Sequence, residues 1–247
     1  MVFFCKHHLF LLIAVEYDII SSERKNVRDR RLRCSMTGYF ITVEGSDGSG
    51  KSTQLQNMIA YLQQRGLDVV VTREPGGTPV AEAIRALILD PSHTSMTAET
   101  EMLLYAASRA QHVAEKILPA KQAGKVVLSD RFVDSSIAYQ GYGRGLGDMV
   151  AWVNDIATGG LRPDLTIFLD VPPEIGMARK QREVQHQMDR LEQEEMAFHQ
   201  AVYAGYLALC KAEPERICRV DATGTAEEVF EQIQKTLDAH LGFLEKR

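Results

Sequence analysis

A chain of 247 residues is long enough for one large α/β domain with a sizeable core, and an apolar share of 45% beside 25% charged residues is ordinary for a globular protein. A formal net charge of −5 excludes nucleic-acid binding by broad electrostatic attraction, although a local basic site stays open. The four cysteines, at 5, 34, 210 and 218, are too few and too irregular for a disulfide framework or a CxxC-type zinc site, and no apolar run reaches the ~20 residues that span a bilayer.

Residues 1–35 differ in character from the rest of the chain. A short apolar run, Leu9 to Val15, precedes a basic cluster from Arg24 to Arg33, and a secretory signal would have the opposite order and end on small residues. Contact of these arginines with nucleic acid or membrane is the alternative reading. Met36 stands just ahead of the first predicted strand, so residues 1–35 are expected to be a dispensable upstream extension, absent from the native product by mass spectrometry.

Tyr39-Phe40-Ile41-Thr42-Val43 reads as an apolar, β-branched strand, and Leu55, Met58, Ile59 and Leu62 recur at helical spacing further on. Between them Gly45 to Ser52 fills every fixed position of G-x-x-x-x-G-K-[ST], a phosphate cradle joining a strand to a helix. The loop predicts ATP binding by Gly45, Ser46, Asp47, Gly48, Ser49, Gly50, Lys51, Ser52 and Thr53. Its glycines let backbone N–H groups turn toward phosphate oxygens, the helix adds its positive end, Lys51 reaches the β- and γ-phosphates, and the Ser52 hydroxyl ligates Mg²⁺. A glycine-rich turn with a surface lysine is the bland alternative.

Gly66 closes that helix, and Asp68–Thr72 reads as a second, buried strand. Arg73-Glu74-Pro75-Gly76-Gly77 comes next, a turn that delivers two charges to the sheet edge already holding the cradle. Val80, Ala83, Ile84, Leu87 and Ile88 form a helical stripe expected to face the core. The helix over 98–117 carries Tyr105 and Arg109 four apart on one face. Taken alone, Tyr105 reads as core and Arg109 as surface; together they suit stacking on a nucleobase and bonding to its edge. Pro119 is expected to interrupt the helix, and Lys125–Ser129 is the third strand. Asp130 at its end fits a carboxylate that supports Mg²⁺, and the adjacent Arg131 suits a second anion. Val133 to Gly145 is dense in polar and glycine residues.

Thr72-Arg73-Glu74-Pro75-Gly76-Gly77, Tyr105-Ala106-Ala107-Ser108-Arg109, and Asp130-Arg131-Phe132 through Tyr139-Gln140-Gly141 resemble, in order and spacing, the signature segments of thymidylate kinases. With the phosphate loop before them and Asp221-Ala222-Thr223 after them, the resemblance spans residues 37–241, and nothing in residues 1–35 matches it.

Beyond these segments, Met149–Thr158 reads as a helix, Leu165–Asp170 as the fourth strand, and Pro172-Pro173 as a helix opening. Arg179 to Glu195 is charged and glutamine-rich, which is usually a solvated helix face. Ala197–Ala212 and Ala226–Leu241 are helices, and Arg216–Val220 is the fifth strand. No linker or repeat divides residues 36–247.

Alternating strands and helices predict a parallel sheet covered on both faces. The resemblance implies the P-loop kinase form of this fold, a three-layer α/β/α with sheet order 2-3-1-4-5 and a short helical lid at about 176–192. It further implies ATP- and Mg²⁺-dependent phosphorylation of dTMP to dTDP by a cytoplasmic homodimer without nucleic-acid or membrane partners. Lys51, Arg182, Arg73, Asp47 and Arg131 carry the catalytic roles, and Arg179 and Thr223 add to the ATP site. The dTMP site implied is Asp47, Arg73, Glu74, Tyr105, Arg109, Arg131, Ser136, Tyr139, Gln140 and Glu192, with Ser52 and Asp130 at the metal. Asp47 inside the phosphate loop, with arginines near 182, resembles the bacterial arrangement. The segment Gln181 to Met188 departs from the family by lacking the glycine often seen in the lid, and its glutamines leave the arginine alignment open between Arg182, placed first for catalysis, and Arg179 behind it. The alternatives are a kinase for another nucleoside monophosphate or a deoxynucleoside, and a P-loop switch ATPase.

Overall fold

The computed structural model describes residues 38–181 and 189–241. The extension over 1–35 and the lid arginine Arg182 lie outside them.

Five parallel strands form one sheet in the order β2-β3-β1-β4-β5: β1 (Tyr39–Glu44), β2 (Val69–Arg73), β3 (Val126–Asp130), β4 (Leu165–Asp170) and β5 (Ile217–Asp221). The order agrees with the expectation, and three strands start one residue later than their sequence bounds. β1, β3 and β4 are near-continuous apolar runs because helices cover both of their faces. β2 is a correction: it is the sheet's edge, and its Val71 is 40% exposed rather than buried.

On one face, helices α1 (Lys51–Gln64) and α9 (Ala226–Leu241) lay Met58, Leu62, Ile233 and Leu237 against Ile41, Leu128 and Ile167. Full burial of such side chains contributes about 1.5–3 kcal/mol each, enough to hold the phosphate-loop helix to β1. On the other face, α8 (Met196–Ala212) brings Val202 and Tyr206 onto Phe168 and Tyr139. The order α1, sheet, α8 gives the three layers.

Between the strands lie α2 (Pro79–Leu89), α3 (Ala98–His112), a π-helical turn over Val113–Ile117, and α4 (Leu118–Gln122). Pro119 therefore does not interrupt the helix. The wide turn just before it takes up the missing proline N–H, and the chain runs on to Gln122. The polar and glycine-rich stretch after β3 is also helical, as α5 (Val133–Ser136) and a second π segment over Ile137–Gly143, with Ala138, Tyr139 and Gln140 buried. The expected core stripe on α2 holds only at Ile88; Val80 and Leu87 are about half exposed, at 51% and 48%. The remaining helices are α6 (Met149–Thr158) and α7 (Pro173–Lys180).

Register fixes the site. Val43 and Arg73 both pair with Asp130, so the carboxyl ends of the three strands that carry the sequence motifs are level. Past that point Arg131 N–H still donates to Val43 O (3.0 Å) and Glu74 N–H to Asp130 O (2.9 Å), which ties the loops to one another.

Candidate active site

The phosphate loop closes onto α1 through Gly50, whose φ of 90° is one that glycine adopts without strain, and no side chain caps the new helix. Its first N–H groups are left for an anion. Across the loop, a Cβ on Gly48 would collide with the Gly176 carbonyl, and one on Gly176 would lie 2.5 Å from the Asp47 carbonyl, so two glycines let α7 pack on the loop. Lys51 Nζ donates to the Gly45 and Ser46 carbonyls, 3.0 Å each, and folds back over the cradle. Burial and the Arg131 charge push Lys51 down to about 8, against the pull of Asp47 and Asp130.

Asp47 and Arg131 join the cradle to the far side of a cavity of about 450 Å³, with Arg131 Nη2 2.8 Å from Asp47 Oδ1. Burial alone would raise the Asp47 carboxyl, but Arg131, Lys51 and Lys180 outweigh it and hold the group well below the usual carboxylate range. A carboxylate in a phosphate cradle is awkward only if it faces ATP; here it is turned toward Arg131.

The Arg131 backbone sits at φ 69°, a conformation rare outside glycine and a form of strain that concentrates at functional sites. Its guanidinium meets Ser135 Oγ, Tyr206 OH and Tyr139 OH at 3.2–3.3 Å. The Ser135 and Tyr206 hydroxyls donate to Glu44 Oε2, at 2.5 and 3.1 Å, so their lone pairs are left for Arg131. Burial and the nearby Asp134 push Glu44 up to about 7, against Ser135 and Arg131.

On the other wall Arg109 is 1% exposed, so the surface reading of it is overturned, and Tyr105, read as core, is half-buried along the cavity. Arg109 Nε donates to Glu74 Oε2 at 2.7 Å, Nη1 to Ser136 Oγ at 3.0 Å and to Asn154 Oδ1, and Nη2 to Phe132 O at 3.0 Å. Four of its five N–H groups are thus placed, and one on Nη2 has no partner among the described residues. Glu74 Oε1 is 2.8 Å from His112 Nδ1, and His112 Nε2 is 2.6 Å from Thr72 Oγ1. Gln140 lines the same wall, its Nε2 donating to Glu101 Oε1 at 2.8 Å. Burial raises the Tyr105 and Tyr139 phenols, so both rings stay neutral.

Arg73 is more exposed, bonding the Pro75 carbonyl at 2.9 Å and Glu82 at 2.9 Å while lining the cavity. Arg179 donates to the Ala222 and Thr223 carbonyls, 2.9 Å each, which brings together the two residues expected to add to the ATP site. Arg190 is engaged by Glu101 (2.6 Å) and the Ile88 carbonyl (3.0 Å), away from the phosphate loop. Glu192 pairs with Lys180 and accepts from Asp189 N–H at 3.0 Å.

Asp130 Oδ1 is buried and has no hydrogen-bond partner among the described residues, yet it lines the cavity together with Ser52 and Lys51. Such an acceptor is costly to bury unless something binds it. A carboxylate and a hydroxyl beside a phosphate cradle suit Mg²⁺, which takes few protein ligands and completes its shell with water and phosphate oxygens. Among the described residues no cluster of three or more His, Cys, Asp or Glu could hold a metal by itself.

Sequence reasoning missed Glu101, Asn154, Lys180 and Asp189. Glu101 is one turn before Tyr105 and reads as an acid matching the helix dipole; its 1% exposure is what marks it out.

A family model described as thymidylate kinase matches residues 43–233. A thymidylate kinase of Latilactobacillus sakei is 53% identical over 213 residues, covering 85% of this chain and 100% of that protein. One from Geobacillus is 49% identical over 196 residues, covering 79% and 93%. The crystal structure of thymidylate kinase from Ehrlichia chaffeensis superposes with a TM-score of 0.67 at 31% identity, covering 81% of this chain and 98% of that one.

Proposed function

The chain belongs to the thymidylate kinase family, and from that membership we propose the roles by which its residues do the work. It phosphorylates dTMP to dTDP with ATP as donor. Residues 36–247 carry the reaction. The observation that supports the assignment of roles is the Asp47–Arg131 pair, a guanidinium bonded at 2.8 Å to a carboxylate of the phosphate loop and so suited to an acceptor anion next to the donor.

A dTMP phosphate oxygen attacks the γ-phosphorus in line, and the bond to the bridging oxygen of ADP breaks. The acceptor is already an anion near neutral pH, so positioning and charge neutralisation outweigh general base catalysis. Lys51 stabilises the β- and γ-oxygens. Arg131 and Arg73 clamp the acceptor phosphate, since a planar guanidinium matches it bidentately. Arg182 completes the charge with Arg179 behind it at the ATP site, while Thr223 lies on the adenine side. Ser52 and Asp130 would hold Mg²⁺, with Glu192 toward the acceptor and metal region. Bound there, the metal would supply Lewis-acid stabilisation of the charge on the transferring phosphoryl group.

The base is chosen by complementary polarity. Tyr105 stacks on the ring, the remaining Arg109 N–H meets O4, and Gln140 and Ser136 lie at the N3 edge; Tyr139 packs where a ribose 2′-hydroxyl would fall. Cytosine reverses donor and acceptor at both edge atoms. Each mismatched contact costs about 1–3 kcal/mol, so ADP release with dTMP should exceed that with dCMP by at least about 10-fold in kcat/KM. Equal turnover of dTMP, dUMP, dCMP, dAMP and dGMP would overturn the reading, and ATP hydrolysis indifferent to dTMP would favour a switch ATPase.

We further propose a homodimer. α2 and α6 both pack on α3, and on these three helices Val80, Leu87, Leu103, Met149, Trp152 and Ile156 are 45–65% exposed, an unusual run of large apolar groups. Two such self-complementary faces make a two-fold interface. Sedimentation should give a dimer, and Trp152→Glu with Ile156→Lys should give a folded monomer. A parental monomer at micromolar concentration sinks the proposal. A cytoplasmic setting accords with the free Cys210 and Cys218, and among the described residues no helix is long and apolar enough to cross a membrane.

A further inference from the structure

Gln140 is 1% exposed, and its two side-chain atoms are treated very differently. Nε2 donates to Glu101 Oε1 at 2.8 Å, whereas Oε1 is buried with no hydrogen-bond partner among the described residues. A side-chain amide offers two ways round, and its neighbours decide between them. The neighbour here is a carboxylate, which accepts only. Flipping the amide would put oxygen against oxygen in a buried site, a lost hydrogen bond and a repulsion together.

Glu101 is itself kept in that role. It is 1% exposed, takes Arg144 Nη2 at 3.0 Å and Arg190 Nη2 at 2.6 Å on Oε2, and has Arg144 Nε at 3.3 Å from Oε1. Burial alone would raise its carboxyl, but Arg144, Gln140 and Arg190 outweigh it and hold it low, so it stays an acceptor.

We propose that Glu101 is a positioning residue for acceptor choice: by binding the Gln140 NH₂ group it fixes the Gln140 carbonyl as an acceptor toward the base edge, matching a pyrimidine that carries a proton on N3. Uracil and thymine carry that proton; cytosine presents a lone pair there and meets a second lone pair. Selection against cytosine is thus built from a residue aimed at the amide rather than at the nucleotide. The inference rests on the proposed placement of Gln140 at the N3 edge of the base.

The test compares kcat/KM for dTMP and dCMP in four variants with thermal melts alongside. Glu101→Gln supplies both a donor and an acceptor to the amide, lets it turn over, and should lower the dTMP-to-dCMP ratio by about 10-fold, with KM for ATP unchanged. Glu101→Asp keeps an acceptor-only group and should hold the ratio better than Glu101→Gln. Arg144→Met removes another Glu101 contact and should leave the ratio alone. Gln140→Met tests the underlying reading: an unchanged KM for dTMP would show that Gln140 does not face the base. If Gln140→Met raises that KM while Glu101→Gln leaves the ratio intact, the orienting role fails by itself. Should Glu101→Gln not fold, the unaltered protein gives an independent readout. Its Gln140 NH₂ protons, identified by their loss in Gln140→Met, should exchange slowly with solvent both without and with dTMP, and loss of that protection in the dTMP complex would overturn the proposal.

Discussion

Lys51→Met should lower kcat by about 10²- to 10³-fold, the loss typical of removing one preorganised charge from a transition state that spreads negative charge over phosphoryl oxygens. The protein should remain folded. Lys51 is held in its cationic form at a cost, since burial and Arg131 push it to about 8 from an ordinary 10.5. Between those two values the folded chain binds fewer protons than the unfolded one, so this residue's contribution to stability rises with pH across that window and is unfavourable below it. Removing the charge gives up two loop hydrogen bonds but relieves that cost, so the melting temperature at pH 7 should equal or exceed the parental value. The same shift predicts that kcat/KM for ATP, which reports the free enzyme, falls as pH rises through about 8. A Lys51→Met protein that turns over normally would remove Lys51 from its role, whereas a flat profile to pH 9.5 would remove only the lowered pKa.

How much of the molecule is legible in its sequence depends on the kind of signal. The strands and the phosphate loop are legible because their information is local: β-branched runs, a fixed glycine spacing and helical periodicity. Local rules fail where tertiary packing overrides them. Pro119 reads as a stop, yet a π turn just before it absorbs the proline. Val133 to Gly143 stands out in the sequence only as dense in polar and glycine residues, yet it is helical and its polar side chains are buried, hydrogen-bonded to Glu44, Glu101 and Arg109. Arg109 shows the limit most clearly. An arginine on a helix face is a surface residue by base rate, and nothing near it in sequence reveals Glu74 and Asn154, which lie 35 and 45 residues away and neutralise or accept from it.

The same wiring sets the second large effect. Glu74→Ala should destabilise the fold by about 3–5 kcal/mol, because it strands a guanidinium that is only 1% exposed and strips His112 of a partner in the same step. For a domain of this size the melting temperature should drop by about 10 °C or more. Glu74→Gln keeps an acceptor for Arg109 and should lose less. The informative comparison is the double variant Glu74→Ala with Arg109→Met, which removes both charges from the wall. A buried ion pair replaced by apolar groups is often no less stable than the original, so the double variant should recover most of the stability lost by Glu74→Ala. It should not recover dTMP turnover, since the last free N–H of Arg109 has gone with the charge. Stability and acceptor recognition then separate: the pair is retained for the hydrogen bond it aims into the cavity, and the fold carries the desolvation cost. A double variant as unstable as Glu74→Ala would place the loss in the turn at 74–77 instead, and one that still selects dTMP over dCMP would take Arg109 out of base reading.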